Sequence, residues 1–77
     1  MYRFLVLAVY ATSDFEYITP LALIVENARN AEDAQNQAMP VFIASMSESE
    51  QLSLTEDDFE SVNATLLSNI QIINNKG

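Results

Sequence analysis

Residues 2–11, YRFLVLAVYA, constrain this chain more than any other stretch, because they read as a strand that is apolar on both faces. Aromatic and aliphatic residues, two of them valines, fill the run, and the polar TSD closes it. With a period of two, Tyr2, Phe4, Val6, Ala8 and Tyr10 point one way, and Leu5, Leu7 and Val9 the other. Such a strand needs cover above and below. A chain of 77 residues has little material for that, since a domain of this size buries only about 60% of the surface its unfolded form exposes. With no cysteine to staple the fold, stability must come from apolar burial, to which association between chains can add.

Residues 17–27 read as the hairpin partner, with Tyr17, Leu21, Leu23 and Val25 on one face and Ile18, Ala22 and Ile24 on the other. Pro20 cannot donate to a ladder and marks an edge or a bulge. The connecting turn, 12–16, is polar except for Phe15, which either folds back on the sheet edge or serves as an anchor for a partner. Arg3 suits a strand start, where it either pairs with a nearby carboxylate or caps the sheet edge.

Asn30 is placed to cap a helix whose first turn holds Glu32 and Asp33, the charge that suits the positive end of the helix dipole. Ala31, Ala34, Ala38, Val41 and Phe42 recur at helical spacing. Pro40 interrupts them, so the helix either kinks and runs to about Met46 or gives way to a short extended VFIASM; the kinked helix is the preferred reading. SESEQLS, 47–53, reads as a loop. Thr55 with Asp58 three residues on forms a capping-box-like start, and Phe59, Val62, Leu66 and Leu67 predict a second helix to about Ser68. NIQIIN, 69–74, alternates like a last short strand.

The expected architecture is α+β: a single domain over 1–77 in β-β-α-α-β order, with the helices packed on one face of a small antiparallel sheet. The other face is left over. A second copy of the chain is the simplest cover, which predicts a homodimer through Leu5, Leu7, Val9 and Ile24.

Composition removes most chemistry. Without histidine or cysteine there is no nucleophile–histidine pair and no ordinary zinc site. The only glycine is Gly77, so no glycine-rich loop cradles a phosphate. TEDDFE lacks the ligand spacing and turn glycine of a calcium loop, and the sequon at Asn63 has no secretory signal to give it use. No catalytic residue, cofactor or metal is expected. The apolar start is far shorter than the roughly 20 residues that span a bilayer, and no small-residue cleavage site follows it. The expectation is a soluble, cytoplasmic protein.

Charge is the remaining signal. The net charge is −8, and from residue 30 onward eight acids face only Lys76. Such a chain repels nucleic-acid phosphates and anionic membranes, so a direct DNA or RNA binder is not expected. Glu56, Asp57 and Asp58 suit a helix start, and Glu48 and Glu50 suit a solvated loop. Those local roles leave unexplained why both predicted helices lack basic residues. In size, acidity and want of chemical groups the chain resembles the small phage-encoded inhibitors, such as anti-restriction and anti-CRISPR proteins, that imitate nucleic acid or block a basic host surface. The resemblance is one of type and implies carboxylates set along a phosphate-like track. Glu32, Asp33, Glu48, Glu50, Glu56, Asp57, Asp58 and Glu60 supply the candidates. The expected partner is then a basic surface on a nucleic-acid-handling protein. The alternative is a structural or accessory protein that docks through its apolar sheet face into a larger assembly.

Overall fold

The structure, a computed structural model, describes residues 1–12, 18–71 and 73. Of the expected turn at 12–16, residues 13–16 with Phe15 lie outside the described residues, as do Tyr17, Ile72 and the tail from 74. Strand β1 (Tyr2–Ala11) pairs antiparallel with β2 (Ile18–Ala28); helix α1 (Ala31–Glu50) follows, and β3 (Phe59–Leu66) returns to the free side of β1. The sheet order is β2-β1-β3. β2 and β3 therefore run in the same direction with β1 between them, and the chain must cross the sheet to get from one to the other. The helix makes that crossing.

The α+β class holds, but the β-β-α-α-β order does not. Residues 55–68, expected as a second helix, form one 3-10 turn (Glu56–Asp58), then β3, then a second 3-10 turn (Leu67–Asn69). Ser61, Val62, Asn63 and Thr65 are all poor helix formers. Val62, Ala64 and Leu66 turn inward while Ser61, Asn63 and Thr65 face out, which is the alternation of a half-covered strand. The helix-like step from Phe59 to Val62 has a different cause. Val9 pairs with Ser61 but Tyr10 pairs with Phe59, so Glu60 is an extra residue in a bulge and both apolar residues end on the same face. The expected strand at 69–74 is absent from its described part: Asn69 closes the second turn, and Ile70, Gln71 and Ile73 lie in no strand.

The helix runs through Pro40 and on to Glu50, so 41–46 is helical and the expected loop at 47–53 starts only at Gln51. Pro40 is on the exposed side, where the carbonyl of Asn36, deprived of its partner, can turn to water. Length also favours continuation. Twenty residues of helix reach about 30 Å, close to the span of a ten-residue strand. Ala34, Ala38, Phe42 and Met46 make the buried stripe, with the alanines letting the helix lie close to the sheet. They pack on Phe4, Val6, Ala8 and Tyr10 of β1, with Val25 from β2 and Phe59 from β3. The Tyr10 and Phe59 rings meet edge to face at 5.9 Å, a geometry worth about 0.5–1.5 kcal/mol beyond area burial.

Gln51 ends the helix in the left-handed region at φ 57°, and the Leu52 amide donates to the Ser47 carbonyl at 3.1 Å. Glycine usually holds this place because a Cβ crowds the carbonyl there. Gln51→Gly is therefore expected to stabilise the fold by about 0.5–1 kcal/mol. Urea unfolding checks this: the midpoint should rise with an unchanged slope.

Candidate functional site

The two ends of the β2–α1 junction are tied by side chains the sequence had suggested. The Asn30 Oδ1 accepts from the Asp33 amide at 2.8 Å, capping the helix. The Asp33 carboxylate in turn accepts from the Arg29 amide at 2.9 Å and from Gln37 Nε2 at 3.3 Å, with the Arg29 guanidinium 3.6 Å away. Gln37 also donates to the Asn27 carbonyl at 2.8 Å. Asp33 is thus occupied in joining strand to helix. Asp58 has a similar task, accepting from the Thr55 amide at 2.8 Å to close the turn before β3. Of the eight candidate acids these two are structural.

The other six are free of such duties. Among the described residues no ion pair or hydrogen bond holds the carboxylates of Glu32, Glu48, Glu50, Glu56, Asp57 or Glu60, and all six residues are exposed. They do not form one continuous track. Glu56 and Asp57 come back beside the first half of the helix, in a cleft of about 300 Å³ with Gln35, Asn36, Met39 and Val62. Asn36 also lines the neighbouring cleft of Arg29, Asn30, Glu32 and Asp33. The acidic helix start and the acidic turn therefore meet around Asn36, a residue the sequence reading did not single out. Glu48 and Glu50 lie in the last turns of the helix, some 24 Å along its axis from Glu32. No basic residue accompanies them, although the negative end of the dipole disfavours acids. Glu60 sits apart, in the β3 bulge.

The second candidate surface is the sheet face away from the helix. By register it carries Leu5, Leu7 and Val9 from β1, Ile18, Pro20, Ala22 and Ile24 from β2, and the polar row Ser61, Asn63 and Thr65 from β3. Leu7 is 44% exposed and Ile24 47%, while Leu5 and Val9 are half-buried. The charges that accompany this face, Arg3 and Glu26, pair with each other at 2.8 Å at one end of the sheet. The sequence offered Arg3 a nearby carboxylate or the sheet edge, and the carboxylate proves to be Glu26, in the β2 bulge opposite. The molecule measures 38 × 35 × 16 Å, and its thin dimension is one sheet plus one helix.

Among the described residues no group of three or more ligand-type side chains is gathered to hold a metal ion, and no helix is long and apolar enough to cross a membrane. Comparison with protein-family models, with curated proteins and with solved structures returned no match.

The Arg29 amide is the largest influence on the Asp33 carboxyl and holds it below the usual carboxylate range; desolvation opposes this, and the Arg29 charge and Gln37 add to it. A depressed pKa contributes stability above the unfolded value, lost as pH falls through the folded one. Asp33→Asn should therefore lower the melting temperature at pH 7. The gap between variant and parent should narrow once the pH drops below about 4. Thermal melts of both proteins from pH 7 to pH 2 check the sign.

Proposed function

We propose that this is a non-enzymatic binding protein that covers a basic surface on a protein partner, of the kind that nucleic-acid-handling proteins present. One observation carries the reading: among the described residues six exposed carboxylates have no cation or donor, and two of them, Glu48 and Glu50, stand where the helix dipole disfavours them. Solvation alone asks for no such placement. Desolvated against arginine or lysine, the same groups contribute to recognition and to rapid encounter. The gathering of Glu32, Glu56 and Asp57 around Asn36 supplies the densest patch. It fits the nucleic-acid-mimic kind of inhibitor in sign of charge, as a patch in place of a long track.

A second reading draws on the exposure of Leu7 and Ile24. In it the chain is an accessory protein that docks through its open sheet face into a larger assembly, and the acids serve solubility. Salt separates the two, because ion-pair interfaces weaken as it rises and apolar ones do not.

The test converts Glu32, Glu56, Asp57 and Glu60 to their amides while leaving Asp33 and Asp58 in place. The fold should survive, since among the described residues none of these four carboxylates caps or pairs. Proteins captured by the parent should be basic and should elute early in a salt gradient. The amide variant should lose them, with affinity for a purified partner reduced by about 2–5 kcal/mol where the charges are buried in the contact. Equal capture by parent and variant, or elution that is indifferent to salt, defeats the acidic reading.

A further inference from the structure

We infer that the open face of the sheet is an isologous interface that takes a second copy of this chain. Charge selects the occupant. The described residues on this face are uncharged except for Arg3 and Glu26, which neutralise each other, whereas the chain as a whole carries −8. A basic partner is drawn to the acidic clefts on the helix side and gains nothing electrostatic here. Two copies meeting on any acidic surface set like charges in contact, whereas two meeting on this one keep only a weak repulsion between distant charges. Among the described residues, the remaining carboxylates lie on the helix side, at the helix ends and at the β3 edge. Across the 16 Å thickness of the molecule, helix-side charges are separated by more than a Debye length of about 8 Å.

The geometry allows closure. A two-fold axis lying in the plane of the face sets Leu5, Leu7 and Val9 against the partner copy's apolar rows and leaves the Ser61, Asn63 and Thr65 row at the rim. Packed sheets of this kind lie about 10 Å apart with strands within about 30° of alignment. The strands run for ten, eleven and eight residues, so three of them cover on the order of 500 Å² of footprint per copy. Two copies then bury on the order of 1,000 Å², the lower end for a specific contact. That sets the expectation at a micromolar, concentration-dependent dimer rather than an obligate one.

Sedimentation equilibrium of the parent, over a concentration series at roughly 50 mM and 0.5 M salt, gives the first test. The expected result is a shift from 8.6 kDa to twice that mass, with tighter association at high salt because the residual repulsion is screened. This trend is opposite to the one the acidic surface should show with its basic partner, so either proposal can fail without the other. Leu7→Lys and Ile24→Lys should each weaken the dimer at least about a hundredfold, because the two-fold buries every introduced charge twice. Both positions are exposed enough in the single chain for a lysine to reach water. Val41→Lys, at 49% exposure on the helix, should leave association within about twofold of the parent. A parent that stays at its chain mass up to about 500 µM in high salt overturns the inference. So does assembly beyond two copies, or a Val41→Lys variant that dissociates as fully as the sheet-face variants. Should Leu7→Lys fail to fold by circular dichroism, Ile24→Lys and the parent series decide.

Discussion

The contact between the Ala34–Ala38–Phe42–Met46 stripe and the Phe4–Val6–Ala8–Tyr10 row holds the rest of this fold in place. β1 is the central strand, so its inward row is the one place where all three strands and the helix meet. Val6, Ala8, Ala34 and Ala38 are at most 1% exposed, which lets backbone approach backbone at the middle of the layer. Larger residues, Phe42 and Met46 from the helix and Phe59 from β3, fill the rest of the cluster. Because one helix supplies all of the cover, it must be as long as the strands. That requirement outweighs the local cost of Pro40.

The same economy shapes the charge distribution. Two of the carboxylates stitch the chain together at its changes of direction, Asp33 between β2 and α1 and Asp58 ahead of β3. Each accepts a backbone amide that would otherwise point at nothing, a use in which a carboxylate is strong. Among the described residues Glu26 is paired with Arg3 beside the open face, and the other acids lie along the helix, in the turn before β3 and at the β3 edge. No polar side chain of the described residues is buried in the core. Charge and apolar surface are thus separated into opposite layers of a molecule only two layers thick.

Much of this was legible in the sequence. The two faces of the hairpin, the Asn30 cap and the helical stretch across Pro40 all follow from local periodicity and chemistry. The second helix did not survive, for a specific physical reason. A bulge adds one residue to a strand, and it turns a two-residue repeat into a three-residue step that mimics a helical face. Phe59 and Val62 are such a pair in β3. Val25 and Ala28 are another in β2, where the register slips between Tyr2 and Phe4. The β2 case caused no error because eight alternating residues precede it. In β3 the bulge comes at the start, directly after a genuine capping signal at Thr55 and Asp58. The gathering of acids around Asn36 was not legible at all, since it depends on where the 51–58 segment returns against the helix.

Those bulges also bear on how the sheet meets its surroundings. β2 and β3 are both edge strands, and an unpaired edge is ordinarily a template on which further strands add without limit. Here each edge is broken near one end, by Glu26 and Asn27 in β2 and by Glu60 in β3. Pro20 also takes one donor out of β2. At β3 the Glu60 carboxylate also repels a like strand that tries to extend the ladder. At β2 the bulge itself breaks the pattern, and Glu26 is held by Arg3. The chain can therefore display a broad apolar face without inviting fibre growth sideways. Any self-assembly it undergoes is directed toward stacking, which closes, and away from lateral addition, which does not.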